Sequence, residues 1–316
     1  MTLTFGASRF SGPADHQPYD SSPLWARLSL AYERSFPNHP GKRTFLHLLY
    51  RLASRTGRPF AWRMKNGALL AISPTEGLAP YATVGWTCFK HGVWEPHVER
   101  AIRELLSPGE TAYDVGANLG YFSAVMAQAV GPTGHVFAFE PVPETFRRLN
   151  LCRELNAYSQ LTPLKFAVGA TSGTIKLSVD PRFSGDASAY SRPYRTEPLH
   201  VEVPICRLDE FVETTGVPPP SLLKIDVEGH ELAVLKGARR ILEEFRPVLV
   251  FEFNVAMSGQ AGWRAAELGA LLRQAAPYRF FLLGEEKPTP VELERLDLKE
   301  EAYVDILALP EASRRP

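Results

Sequence analysis

"TAYDVGANLGYFSAVMAQAV" occupies residues 111–130. A short apolar run ends at Asp114, a turn carries Gly116 and Gly120, and a helical stretch follows. The stretch reads as a buried strand, a turn and a helix, and it opens a strand–helix alternation that continues to the C-terminus. The pattern predicts core strands at 111–115, 135–140, 161–168, 221–227, 248–254, 278–283 and 302–309. It predicts helices at about 119–130, 143–156, 229–244 and 262–275. "TIKLSV" and "HVEVPI" read as an extra strand pair between the third and fourth core strands. Repeated βα units imply an α/β fold, a doubly wound and mainly parallel sheet with helices on both faces. Ligands of such sheets bind at the carboxyl ends of the strands.

Upstream the rhythm differs. Residues 1 to about 22 are rich in Ser, Gly, Pro and Asp and are expected to be poorly ordered. Residues 24–52 read as helix broken near "FPNHPG". "PFAWRMKNGALLAISP" (59–74) reads as a hairpin turning at Asn66-Gly67. "EPHVERAIRELL" (95–106) is a helix with Pro96 in its first turn and Val98, Ile102, Leu105 and Leu106 on one face. The expected division is an N-terminal extension, 1–84, of helices and a hairpin, followed by the α/β domain, 85–316.

The 316 residues are 45% hydrophobic and 22% charged, with 35 basic and 35 acidic side chains. No basic excess points to nucleic acid. Cys88, Cys152 and Cys206 are far apart and form no C-x-x-C pair, which argues against a disulfide framework or a structural zinc. The start lacks a signal-peptide pattern, and no run approaches the ~20 apolar residues of a membrane span. The expectation is a cytoplasmic protein with no nucleic-acid or membrane partner.

Four strand ends carry the chemistry. In "DVGANLG" (114–120) the dinucleotide pattern G-x-G-x-x-G is incomplete and an acid leads the turn. Asp114 would repel a pyrophosphate but suits a protonated amine. Gly116 would let the backbone approach the ligand, and Gly120 would allow close packing at the helix start. S-adenosylmethionine has the matching groups: an amino-acid tail, a ribose and no phosphate. In "VFAFEPVPETFRRL" Glu140 is placed to accept from ribose hydroxyls, and Phe139 and Pro141 to flank an adenine; Glu140 and Glu144 would also be favoured simply as acids near a helix N-terminus.

In "LLKIDVEGHELAVLKGA" (222–238) strand alternation puts Lys224, Asp226 and Glu228 on one side, and His230 follows. Asp226 or His230 is the expected base, with Glu228 and Glu252 orienting a hydroxyl. Lys224 could equally do no more than pair with a neighbouring acid, and Glu231 and Lys236 are expected as solvated helix-face charges. In "VLVFEFN" Glu252 and Asn254 reach the next strand end, with Asn254 facing the substrate. Asp226, Glu252 and Asn254 also form an oxygen set that magnesium could use. Strand-end acids are far commoner than metal sites, so no metal is expected.

Together "DVGANLGYFS", "VFAFEPVPETFRRLN", "AVGATSGTIKL", "LLKIDVEGHELAVLKGA" and "RPVLVFEFN", with "GVWEP" upstream, resemble the FkbM family of S-adenosylmethionine-dependent methyltransferases over residues 85 to 256. The resemblance implies a class I methyltransferase fold, a seven-stranded sheet whose last strand is antiparallel and inserted beside the fifth. It implies O-methylation of a hydroxyl on a sugar or a polyketide, glycoside or peptide natural product. By resemblance Asp114, Gly116, Asn118 and Gly120 fall on the cofactor loop, Glu140 on the ribose acid, and Ala167 beside the adenine; Tyr121 and Pro141 are further cofactor-binding candidates. Asp226, Glu228 and Glu252 fall around the acceptor, Asp226 also bordering the cofactor.

The loop "DPRFSGDASAYSRPYRTEP" (180–198) supplies Arg182, Tyr190 and Arg192 as candidate acceptor contacts. The extension could also make a homodimer. Two other readings share the same residues: an RNA 2′-hydroxyl methyltransferase, and a non-catalytic cofactor-binding scaffold in a biosynthetic assembly.

Overall fold

A computed structural model describes residues 59–74, 84–179, 198–296, 298–299 and 302–311, with isolated helical positions at 24, 26–28 and 48. The expected helix break at 24–52, a dimer contact through the first residues, and the 180–198 loop with Arg182, Tyr190 and Arg192 therefore lie mostly or wholly outside the described residues.

The hairpin forms as β1 (Phe60–Arg63) and β2 (Leu69–Ile72). Its turn spans residues 64–68. The Gly67 N–H donates to Met64 O, the Met64 N–H donates to Ala68 O, and Gly67 takes φ +89°. That is a turn closed by a left-handed glycine, the conformation that Asn-Gly encodes. Two helices follow, α1 (Val84–His91) and α2 (Pro96–Leu105). The predicted apolar face of α2 is buried: Val98, Ile102, Leu105 and Leu106 are each at most 6% exposed.

The alternation then runs β3 (Thr111–Val115), α3 (Tyr121–Val130), β4 (His135–Phe139), α4 (Pro143–Leu155), β5 (Leu161–Leu164), β6 (Ala167–Val168), β7 (Gly173–Val179) and β8 (Leu199–Cys206). It continues with α5 (Leu208–Thr215), β9 (Leu222–Ile225), α6 (Glu231–Gly237), β10 (Val248–Asn254), α7 (Val255–Gln260), α8 (Ala265–Ala275), β11 (Tyr278–Leu283), β12 (Thr289–Val291) and β13 (Tyr303–Pro310). A short π-helical turn (Ile241–Phe245) follows α6.

One sheet has the order β12-β11-β13-β10-β9-β3-β4-β5. β5, β4, β3, β9 and β10 are mutually parallel, and β13 is antiparallel to both β10 and β11. This is the class I methyltransferase order, with the last strand inserted beside the fifth. β12 adds an antiparallel edge that the sequence reading lacked, and Pro290 is tolerated there because an edge strand need not donate on its open side. The extra pair forms a separate small sheet, β6-β8-β7. The predicted strand 161–168 is therefore two strands, β5 in the main sheet and β6 in the small one. The predicted strand 221–227 stops at Ile225, because Glu228 and Gly229 turn into left-handed backbone at φ +53° and +95°.

Each face of the sheet buries its own apolar cluster. Ala112, Val136, Leu222 and Val250 pack toward α2, α3 and α4; Tyr113, Phe139, Leu223 and Phe251 pack toward α5, α6 and α8. The hairpin shares the first cluster through Phe60, Met64, Leu70 and Ile72. It is tied to α4 by backbone-directed bonds: Asn156 Oδ1 accepts from Leu69 N–H at 2.8 Å, Asn156 Nδ2 donates to Leu69 O at 2.8 Å, and the buried Arg148 guanidinium donates to Ala71 O. The three cysteines are buried free thiols, and burial pushes Cys152 and Cys206 up to about 12. Among the described residues no helix is long and apolar enough to cross a membrane.

Asn156→Ala removes both bonds to β2 and leaves Leu69 unpaired in a packed contact. We expect a loss of about 1–3 kcal/mol in urea unfolding, with faster proteolysis at residues 59–74. An unchanged midpoint and unchanged cleavage would show that the side-chain pair does not hold the hairpin.

Candidate functional site

The strand ends expected to carry chemistry converge. β3 and β9 are adjacent and parallel, with Asp114 directly opposite Lys224. The Lys224 ammonium lies 3.7 Å from Asp114 Oδ1 and 3.2 Å from Asp226 Oδ2, and 4.9 Å from the centre of the Phe122 ring. Burial works against this cation, but Asp226, Asp114 and Glu95 outweigh it and hold its pKa above the ordinary lysine range. Lys224 is therefore a buried ion-pair partner.

Asp114 is fully enclosed, and its Oδ2 accepts from Ser123 Oγ at 2.6 Å. Its buried Oδ1 lies 3.7 Å from the Lys224 ammonium and has no hydrogen-bond partner. Gly116 is also required for a reason other than ligand approach. At φ +83° a Cβ there would come within 1.8 Å of the Asp226 carbonyl oxygen. Gly120, at φ +87°, packs against Leu149 and Cys152 of α4, the close helix contact expected of it.

Between these glycines Asn118 takes φ +49°, and its side-chain oxygen is buried without a hydrogen-bond partner. The Asn118 N–H donates to Glu140 Oε2 at 3.0 Å and the Val142 N–H donates to Glu140 Oε1 at 2.9 Å. Burial pushes Glu140 up to about 7, opposed by these two bonds. Val142 shares an apolar cluster with Ala167, so the segment Glu140–Val142 and Ala167 are close in space. Phe139, by contrast, is buried among Tyr113 and Phe211 and cannot flank a ligand. Tyr121 is buried with its hydroxyl donating to Glu99 of α2, so that hydroxyl is not offered to a cofactor.

On the acceptor side Asp226 is part-exposed beside Lys224. Glu252 stands at the end of β10, and burial together with Asp226, Glu228, Asp305 and Glu95 pushes it up to about 10. Its directly opposed neighbour on β13 is Asp305, which bonds His97 Nε2 at 2.7 Å. Glu228 belongs to this group through its charge on Glu252, but from a left-handed turn and not from the strand.

His230 does not join the acids. It precedes α6, and its Nε2 lies 2.9 Å from where a Cβ on Gly169 would be. Burial alone lowers its pKa. It packs beside the loop after β6. Asn254 is likewise corrected: its Oδ1 accepts from Met257 N–H at 3.2 Å and caps α7. Among the described residues no three His, Cys, Asp or Glu side chains are grouped to hold a metal ion.

Glu231 overturns its expected solvent exposure. It is 2% exposed, its Oε1 accepts from the Val227 and Gly229 N–H groups at 3.2 Å each, and burial pushes it up to about 7. With Trp263 Nε1 donating to Gly229 O at 2.8 Å, it shapes the turn that presents Glu228. Glu95 and His97, both near Asp305, were not singled out from the sequence. In the sequence Glu95 stands in "GVWEP", which carries no chemical signal of its own.

Glu231 sits at about 7 in the fold against 4.5 ordinarily, so its contribution to stability is full below about 4.5 and is lost as pH rises through about 7. Glu231→Gln keeps the accepting oxygen and removes the charge. We expect the variant to lose less stability between pH 5 and 8 than the wild type, by about 1–3 kcal/mol in denaturant titrations. Parallel pH curves would contradict a buried titrating Glu231.

Comparison with known proteins adds the following. The Methyltransferase FkbM domain matches residues 114–280. Hexuronic acid methyltransferase AglP of Haloferax volcanii is 33% identical over 156 residues, 49% of this chain and 61% of that protein. The 31-O-demethyl-FK506 methyltransferase FkbM of Streptomyces tacrolimicus is 29% identical over 205 residues, 55% of this chain and 74% of that protein. The match thus spans less than two thirds of AglP. A crystal structure of methyltransferase FkbM from Methylobacillus flagellatus aligns with a TM-score of 0.42 at 18% identity, over 66% of this chain and 50% of that one.

Proposed function

The chain belongs to the FkbM methyltransferase family, and from that premise we propose that it transfers a methyl group from S-adenosylmethionine to a hydroxyl of a sugar or natural-product acceptor. One observation carries this reading. The Gly116–Gly120 turn, with its unsatisfied Asn118 oxygen, lies after β3 beside the end of β4, next to a cluster of carboxyl side chains at the ends of β9 and β10.

The residues fit the cofactor. The buried, unpartnered Asn118 Oδ1 needs a donor, and an amine or a hydroxyl supplies one. The Glu140 carboxylate, already held by two N–H groups, retains lone pairs that suit ribose hydroxyls. The turn from Gly116 to Gly120, with Glu140, Pro141 and Ala167, would hold the molecule. When bound, S-adenosylmethionine supplies an electrophilic methyl on a sulfonium.

The protein must then orient an acceptor hydroxyl and take its proton. Asp226 is the base in this reading. It is part-exposed, faces the acid cluster, and its charge is balanced by Lys224 at 3.2 Å. Glu252, pushed up to about 10, carries its proton at neutral pH. It acts as a hydrogen-bond donor to an acceptor oxygen, and Glu228 orients the same group. The hexuronic acid and FK506 methyltransferases among the relatives support a hydroxylated acceptor, small molecule or glycan, and no metal is needed for these roles.

Asp226→Asn preserves shape while removing the base. We expect S-adenosylmethionine affinity by calorimetry to stay within about threefold, and turnover with an accepted hydroxyl compound to fall by about 10² or more. Wild-type turnover in the variant would remove Asp226 from the base role, and absence of cofactor binding in the wild-type protein would remove the whole reading.

A further inference from the structure

We propose that Glu95, immediately before α2, is an acceptor-contacting residue of the methyl-transfer site, and that the His97–Asp305 bond is what positions it; this rests on the function proposed above. α2 is fastened at three points around the ligand-binding edge of the sheet. His97 Nε2 bonds Asp305 near the start of the antiparallel β13. Arg100 donates to the carbonyls of Gly284, Glu285 and Glu286, just beyond the end of β11. Glu99 accepts from the Tyr121 hydroxyl at the start of α3, beside the glycine turn. These anchors all lie at the carboxyl edge of the parallel strands, where this fold class binds ligands.

Glu95 stands at the end of this fastened helix. Its backbone is left-handed, φ +38° and ψ +71°, and its side chain makes no cap bond to the helix. Left-handed non-glycine residues are costly and gather where structure serves function. Among the described residues there are five, and Glu95, Asn118 and Glu228 are the three at this edge.

The groups whose charges reach Glu95 are Asp305, Asp226 and Lys224, with the Trp94 side chain hydrogen-bonded to it. Glu252 and Tyr303 also feel its charge. Burial, with Asp305 and Asp226 adding, pushes Glu95 up to about 9. At neutral pH it therefore offers an O–H donor. An acceptor oxygen beside Asp226 is what a donor there would hold. The chemical class selected is a polyol with neighbouring oxygens, one donating to Asp226 and one accepting from Glu95.

The test uses the full-length protein, isotopically methyl-labelled S-adenosylmethionine and an extract of the cells that make it as the acceptor source, followed by kinetics on the labelled product's precursor. Glu95→Ala should lower kcat/KM for the acceptor about tenfold or more, with cofactor Kd within about threefold. Glu95→Gln keeps a neutral donor and should restore most of that loss at neutral pH. It should also move the alkaline fall in activity above about 9, where wild-type Glu95 ionises. His97→Asn should reproduce the Glu95→Ala loss in part while leaving cofactor Kd unchanged. Wild-type acceptor kinetics in Glu95→Ala, or a Gln variant no better than Ala with an unmoved pH limb, overturns the proposal. A wild-type protein that binds no cofactor overturns the methyl-transfer reading beneath it, a distinct result from the first.

Discussion

The Lys224 ammonium is the charge on which the rest of the site depends. It is buried on a central strand, 3% exposed, directly across from the fully enclosed Asp114. Taking either charge out of water alone would cost several kcal/mol, and removing one partner would strand the other. Together they fix how β9 lies against β3. Two residues further on, the same ammonium meets Asp226 at the edge of the cleft. One cation thus serves a fully buried carboxylate and a part-exposed one. In the proposed function, the cofactor half and the acceptor half of the site share a single counter-ion.

For Glu252, burial and the neighbouring carboxyls decide the protonation state. Glu252 and Asp305 are directly opposed across β10 and β13, an arrangement in which two negative charges repel. The structure resolves the conflict unequally. Asp305 is given His97 as a partner, whereas Glu252 is left in low-dielectric surroundings near four other carboxyls and is pushed up to about 10. Crowding carboxyls at one edge therefore sets an ion-paired Asp226 beside a Glu252 pushed up to about 10. Environments that drive like groups apart in pKa are the usual physical basis of paired acid and base roles.

Most of the sheet was legible because its signals are local. Strands 111–115, 248–254 and 278–283 match their predicted limits, and the order of strand ends follows from βα alternation. The antiparallel last strand came from family resemblance and not from periodicity. Misreadings arose where tertiary contact decides. Glu231 looks like a surface helix charge until the turn before it is folded back onto its carboxylate. His230 and Asn254 are strand-end polar residues by position, yet one packs against Gly169 and the other caps α7. The cap was readable in principle, since Asn is a favoured residue immediately before a helix. The His97–Asp305 bond was not, because 208 residues separate its partners and no spacing rule joins them.

The glycine turn shows how such long-range constraints enter a local motif. Gly116 has the left-handed φ that a turn favours, but what forbids a side chain there is the carbonyl of Asp226. Gly229 is restricted in the same way by the Met257 backbone at the start of α7, and its own carbonyl is held by Trp263. The end of β3 therefore rests on the end of β9, and the turn after β9 rests on the helix after β10. A side chain at either glycine would force these layers apart, and the acids above them would lose their spacing before any ligand arrived. "DVGANLG" and "KIDVEGHE" belong together first as touching surfaces of one scaffold, and their joint service to a ligand follows from that contact.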